Sequence, residues 1–196
     1  MEIVGIVLFA LLLAFLIQAF LVKTYRIPSG SMEPTLDIGQ RVLVNRIGTH
    51  FGDPSVGDIV VFHPPAGADS QSPICGKPSE GGGQRSPCSA PTPQRSKQTF
   101  VKRVVGVGGD RIQIRDGHVI RNGRAQKESF IRPCGADAGA QCTFPDTITV
   151  PKGDFFMMGD NRGDSDDSRY WGPIPRGWII GGAFASYWPP KHVGLL

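Results

Sequence analysis

Gln98-Thr99-Phe100-Val101-Lys102-Arg103-Val104-Val105-Gly106-Val107 is dense in β-branched and aromatic residues and reads as a strand. Alternation along a strand puts Phe100, Lys102 and Val104 on one face, so the Lys102 ammonium is set among apolar groups. Burial disfavours the charged form of a lysine and lowers its pKa, and a lysine neutral near the operating pH can serve as a general base. The competing reading is an edge-strand lysine whose stem lies along apolar surface while its head reaches water. Gly106-Val107-Gly108-Gly109 lacks the G-x-x-x-x-G-K-[ST] spacing of a phosphate loop, and no helical pattern follows it.

Downstream, Arg111–Arg115 and His118–Arg121 alternate apolar and polar residues around Asp116-Gly117, the signature of a hairpin with a type I′ turn, and Asn122-Gly123 is a second turn signal. Thr147–Val150 and Asp154–Met158 read as two more strands. The Trp178–Trp188 run reads as a final strand interrupted by glycines. Upstream, Arg41–Ile47 has the period of a half-buried strand, and Ile59–Phe62 follows a Gly57-Asp58 turn. The expected fold is mostly β: an antiparallel β-rich domain with a β-hairpin excursion, preceded by an N-terminal transmembrane helix.

Between the strands lie three irregular segments. Pro64–Lys97 is rich in Pro, Gly, Ser and Gln, has no apolar periodicity and reads as a flexible insertion. The segment from Arg132 to Asp146 is a loop. Gly159-Asp160-Asn161-Arg162-Gly163-Asp164-Ser165-Asp166-Asp167-Ser168-Arg169 is dense in carboxylates, yet Arg162 and Ser165 take positions where a calcium loop needs an oxygen ligand and a glycine. No metal site and no cofactor is expected. With Arg162 and Arg169 among the aspartates, the segment reads as an ion-paired turn able to present Ser165 or Asp160 to a neighbouring site.

The four cysteines, Cys75, Cys88, Cys134 and Cys142, do not have zinc-ligand spacing, and disulfides fit them better. Of the three possible connectivities, the local one (Cys75 to Cys88, Cys134 to Cys142) closes short loops and is the expectation. Such bridges persist in oxidising compartments. The net charge of +4 is spread over dispersed Lys and Arg with 17 acidic residues among them, which argues against a nucleic-acid partner.

Ile3–Val22 is apolar apart from Gln18 and, at ~1.5 Å per residue, spans the hydrocarbon core of a bilayer. Residues 1–23 are therefore read as a transmembrane signal-anchor, and residues 24–196 as one domain. Lys23 and Arg26 on its C-terminal side would stay cytoplasmic by the positive-inside rule, whereas the disulfides place the domain outside. Directly after the anchor comes Ile27-Pro28-Ser29-Gly30-Ser31-Met32-Glu33-Pro34-Thr35-Leu36, in which two prolines and a glycine between two serines suit a rigid turn that presents a hydroxyl. A Ser/Gly/Pro linker is the plain alternative.

With Ser29-Gly30-Ser31-Met32, Lys102-Arg103 and Gly159-Asp160-Asn161-Arg162…Asp167-Ser168-Arg169 in the same order and context, the sequence resembles the bacterial type I signal peptidases, membrane-bound Ser/Lys proteases. The resemblance implies Ser31 as nucleophile, Lys102 as its general base, Ser165 as a hydrogen-bonding orienter of the lysine, and Ser29 in the oxyanion hole beside the Ser31 N–H. It implies bracing roles for Asp160, Arg103, Asp167 and Arg169, and shallow apolar pockets lined by Tyr25, Ile27, Pro28, Met32, Leu36, Val42, Phe100 and Val101. It further implies cleavage of preprotein signal peptides after Ala-X-Ala-like sites, by an extracytoplasmic catalytic domain anchored in the bacterial cell membrane, with the lipid bilayer and the protein-export machinery as partners. A Ser/Lys dyad needs a desolvated lysine and no histidine, and His50, His63, His118 and His192 all lie outside the motifs. A Ser/Lys protease dedicated to one substrate and a non-enzymatic, disulfide-stabilised β domain are the other two readings.

Overall fold

In the computed structural model, which describes residues 3–9, 22–48, 52–70, 72–135 and 142–196, the strand containing Lys102 lies well inside the larger of two antiparallel sheets. The strands are β1 (Val22–Arg26), β2 (Arg41–Asn45), β3 (Ile59–Phe62), β4 (Phe100–Val107), β5 (Arg111–Arg115), β6 (His118–Arg121), β7 (Arg124–Ala125), β8 (Phe144–Thr149), β9 (Asp154–Met158), β10 (Ile174–Pro175), β11 (Ile179–Trp188) and β12 (Gly194–Leu195). The larger sheet has the order β1-β2-β11-β3-β4-β9-β10, with β12 paired to β11; the smaller has the order β7-β6-β5-β8. The mostly-β antiparallel fold read from the sequence is the fold observed.

Both faces of the larger sheet are apolar, which explains the unbroken hydrophobic runs of β3 and β9. Phe155 and Met157 of β9 pack with Val60, Phe62, Val104 and Trp171 on one side. Phe156 and Met158 pack on the other, against Ile112, Ile114, Val119, Phe144 and Ile148 of the smaller sheet. A third cluster joins Ile27, Met32 and Leu36 to Val42, Val44, Ile59 and Val61, and so seats the Ser/Gly/Pro turn on the sheet.

The two turn signals act as expected. Asp116 and Gly117 have φ of 50° and 77°, and Asn122 and Gly123 have φ of 55° and 78°. Positive φ at both central residues is what a type I′ turn demands, and it matches the twist of the strands it joins.

Several boundaries differ from the sequence reading. β8 begins at Phe144 rather than Thr147, because Phe144 is wholly buried in the core between the sheets, a tertiary reward invisible to local pattern. β1, unassigned from the sequence, pairs with β2 from Val22↔Asn45 to Arg26↔Arg41. Of the expected transmembrane helix, residues 3–9 are helical. Residues 10–21 lie outside the described residues, and Val22 belongs to β1. Among the described residues no helix is long and apolar enough to cross a membrane.

The cysteines form the local pairs Cys75–Cys88 and Cys134–Cys142. The described part of segment 64–97 contains neither helix nor strand, yet it is attached to the domain by Cys88 N–H donating to Arg169 O at 3.0 Å and by Arg85 O accepting from Asp146 N–H at 3.2 Å.

Gly181 of β11 marks the tightest strand contact in the larger sheet. A Cβ there would collide with the Asn45 carbonyl and come within 2.7 Å of Val44 Cγ1 in β2. Overpacking of this kind costs ~1–3 kcal/mol, so Gly181→Ala is expected to lower Tm by several degrees. Thermal unfolding followed by circular dichroism checks it, and an unchanged Tm would show that β2 yields freely.

Candidate active site

The first turn of the Ser-Gly-Ser segment is a 3-10 helix over Gly30–Met32. Met32 anchors it by being buried at 1% exposure in the cluster beneath, which leaves Ser29 exposed and Ser31 half-buried above. Ser29 Oγ lies 3.5 Å from Ser31 Oγ as donor. Both serines line a cleft of about 480 Å³, together with Lys102 and Val101 of β4 and Ser165 of the loop after β9.

Lys102 is 4% exposed. Its cross-strand partner is Val60, and its Nζ sits 5.9 Å from the centre of the Phe100 ring. Desolvation lowers its pKa from the ordinary 10.5 to about 8; nearby Asp167 and Asp166 raise it in part. The carboxylate nearest in effect is otherwise engaged. Asp167 accepts from Arg169 Nε and Nη2, each at 2.8 Å, from Gly159 N–H at 3.1 Å and from Ser165 Oγ at 2.8 Å. Burial acts to raise the Asp167 pKa, but the Arg169 guanidinium outweighs it and holds the carboxyl below its ordinary range. Burial and the Asp167 charge push Asp166 up.

The Ser165 proton is thus directed at Asp167, and its lone pairs are what remain for a second partner. A hydrogen bond from Lys102 to Ser165 is not among those of the described residues. Gly159 is required where the loop leaves β9, since a Cβ there would overlap Ser165 Oγ and the Ser31 carbonyl.

Behind the cleft, Asp160 accepts from Arg103 Nε at 2.9 Å and Nη2 at 2.6 Å, and from Thr35 Oγ1 at 2.5 Å. Arg103 also donates to Gly57 O and stacks on Phe130 at 4.2 Å. These contacts tie the turn, β4 and the loop together. Arg162 departs from the sequence reading. It pairs with Glu128 at 2.6 Å rather than with the aspartates of its own segment, and it also donates to the carbonyls of Gly159 and Gly117. Glu128 lies in a polar stretch after β7 that carries no motif of its own, and only the fold brings it to Arg162.

Of the apolar pocket residues, Ile27, Pro28, Met32, Phe100 and Val101 line the cleft. Leu36 and Val42 lie below it at 0% exposure, and Tyr25 packs against the same cluster. The cleft also has walls that the sequence did not disclose, Ala68 and Asp69 from the insertion and Tyr170 from the short helix Ser168–Trp171. His63, His118 and His192 are not among the cleft residues, and His50 lies outside the described residues.

A family model described as signal peptidase, peptidase S26, matches residues 1–188. The chain belongs to that family. It is a serine endopeptidase by that membership. Among curated relatives, the signal peptidase I of Leptolyngbya laminosa is 34% identical over 188 residues, covering 95% of this chain and 79% of the relative. A probable signal peptidase I-1 of Synechocystis sp. is 35% identical over 195 residues, covering 100% of this chain and 86% of the relative. Thylakoidal processing peptidase 1 of Arabidopsis thaliana is 35% identical over 94% of this chain, which spans 47% of that relative.

The buried lysine has a thermodynamic consequence for this signal peptidase family member. Its pKa is 10.5 in the unfolded chain and about 8 in the folded one. The unfolded state therefore binds the extra proton, and a penalty on the order of 3 kcal/mol is fully present below pH 8 and fades as pH rises toward 10.5. Lys102→Met, apolar and similar in length, removes it. The variant is expected to unfold several degrees above the parent at pH 7, with the gap closing by pH 10; a variant no more stable at pH 7 would mean the lysine is solvated.

Proposed function

We propose that the protein removes N-terminal signal peptides from exported preproteins, cutting after Ala-X-Ala-like sites with Ser31 as nucleophile and Lys102 as general base. The observation that carries this reading is the convergence on one cleft of a serine held in a rigid turn and a lysine whose burial brings its pKa to about 8. In the first step the Ser31 Oγ–carbonyl carbon bond forms while the hydroxyl proton passes to Lys102 Nζ, and the carbonyl electrons move onto oxygen. The Ser31 N–H and the Ser29 hydroxyl stabilise that oxygen. Collapse expels the amino terminus of the mature chain, which takes the proton from Lys102. Water, deprotonated by the same amine, then hydrolyses the ester.

Ser165 orients Lys102 through its lone pairs, its own proton being held by Asp167. Asp167 with Arg169, and Asp160 with Arg103, brace the loop. Ile27, Pro28, Met32, Phe100 and Val101 form shallow walls suited to small side chains, backed by Tyr25, Leu36 and Val42. The apolar segment ahead of β1 anchors the enzyme in the bacterial cell membrane, beside the bilayer face and the export machinery where preproteins emerge, and the chain from β1 onward forms the extracytoplasmic catalytic domain. The two disulfides support that side of the membrane.

Purified protein in detergent is expected to cleave several unrelated preproteins bearing Ala at −1 and −3. Ser31→Ala and Lys102→Met are each expected to lose cleavage by 10³-fold or more. Cleavage retained in Lys102→Met would refute the dyad, and cleavage of one preprotein alone would favour the dedicated protease.

The pH dependence follows from the same lysine. The base works only when neutral, so kcat/KM is expected to rise with pH to a midpoint near 8 and to fall about tenfold per unit below it. A flat profile from pH 6 to 9 would count against Lys102 as the base.

A further inference from the structure

We infer that Asn161 is a positioning residue that aims the Ser31 N–H at the developing oxyanion, a role that rests on the Ser31/Lys102 reading above. Asn161 is 6% exposed and bonds to the nucleophile turn twice. Its backbone N–H donates to the Ser31 carbonyl at 3.1 Å, and its side-chain Nδ2 donates to the Gly30 carbonyl at 3.1 Å. The Gly30 carbonyl also accepts from Glu33 N–H at 3.0 Å, so both its lone pairs are held.

The direction of the Ser31 N–H follows from covalent geometry. The Gly30 carbonyl and the Ser31 N–H belong to one trans peptide plane and point in opposite directions. Holding the Gly30 oxygen against Asn161 turns the Ser31 N–H away from Asn161. That N–H has no acceptor among the described residues, which leaves it available to a substrate carbonyl. Removal of a single oxyanion donor costs ~10²–10³ in rate, so the orientation of this plane carries weight.

The clamp itself is held from behind. Asn161 pairs in parallel with Arg132, whose N–H donates to Asp160 O at 2.8 Å and whose carbonyl accepts from Arg162 N–H at 2.9 Å. The Asn161 carbonyl accepts from Asp164 N–H at 3.0 Å. Its neighbours Asp160 and Arg162 are fixed by Arg103 and Glu128. The amide therefore meets the turn from a backbone that has little freedom to follow it.

Two variants test the inference on the full-length enzyme in detergent. Asn161→Asp keeps the shape but sets a carboxylate oxygen against the Gly30 carbonyl; Asn161→Ala removes the side-chain donor and leaves the backbone bond. Both are expected to lower kcat ~10–100-fold, with KM within about twofold and the pH midpoint near 8 unmoved. A peptide aldehyde ending in Ala, which adds Ser31 Oγ to its carbonyl carbon and places the resulting oxygen in the oxyanion site, is expected to lose affinity in step with kcat/KM. An uncleaved preprotein peptide, bound to the same variants in a Ser31→Ala background, is expected to keep its affinity.

Unchanged kcat in Asn161→Ala overturns the inference, as does a loss of kcat with wild-type aldehyde affinity. Failure of both variants to fold also overturns it, since the amide would then be holding the loop and not the N–H. A parent enzyme that cleaves no preprotein, or a Ser31→Ala variant that still does, sinks the underlying reading instead.

Discussion

Everything at the site depends on keeping the Lys102 ammonium away from water. A lysine on a sheet strand ordinarily reaches solvent along its stem, but here β3 and β9 flank its strand and the Phe100 ring, Val60 and Val104 close around it. Carboxylates stand near enough to restore the charge, and the fold limits their effect. Asp167 is committed through both oxygens to Arg169, with Gly159 N–H and Ser165 filling its remaining capacity, so its negative charge is largely compensated. Burial therefore prevails over attraction in setting the lysine near pH 8.

That arrangement requires several segments, distant in sequence, to meet within a few ångströms. Buried ion pairs do the joining: Arg103 with Asp160, Arg169 with Asp167, and Arg162 with Glu128. Such pairs contribute little net stability, because desolvation consumes most of the Coulomb gain, yet breaking one leaves a buried charge at a cost of ~3–5 kcal/mol. Their value lies in geometry. Each directional fork fixes one element against another, and together they hold the serine turn, β4 and the loop after β9 as one body. The smaller sheet takes part through Glu128, which follows β7 and pairs with Arg162.

The insertion is more than a tether between two strands. Its Cys75–Cys88 bridge closes 13 residues, a loop for which cross-linking lowers the entropy of the unfolded chain by ~3 kcal/mol. Cys88 N–H then binds the Arg169 carbonyl, next to the pair that compensates Asp167. Ala68 and Asp69 complete one wall of the cleft. A polar, low-complexity segment thus acquires a place in the wall of the cleft through a disulfide and a few backbone bonds, with Pro64, Pro65, Ala68, Pro87 and Cys88 buried as its small apolar contribution.

The sequence by itself determined the β class and the two turns at Asp116-Gly117 and Asn122-Gly123, because alternation and positive-φ residues act over neighbouring positions; it favoured the local cysteine pairs among three connectivities, and the fold settled them. It also marked Lys102 as a lysine set in an apolar strand and Ser29-Gly30-Ser31 as a turn able to present a hydroxyl, while the separate roles of Ser29, Ser31, Lys102 and Ser165 were what the family resemblance implied. Only the tertiary structure decided that these four share one cleft, that Asp167 holds the Ser165 proton, that Arg162 turns to Glu128, and that Asn161 grips the serine turn. Those contacts join residues up to 131 positions apart, and nothing in local pattern encodes which polar group will face which once the sheets have packed. The extent of β1 and β8 was likewise set by pairing and burial across the fold, which override local propensity at strand ends.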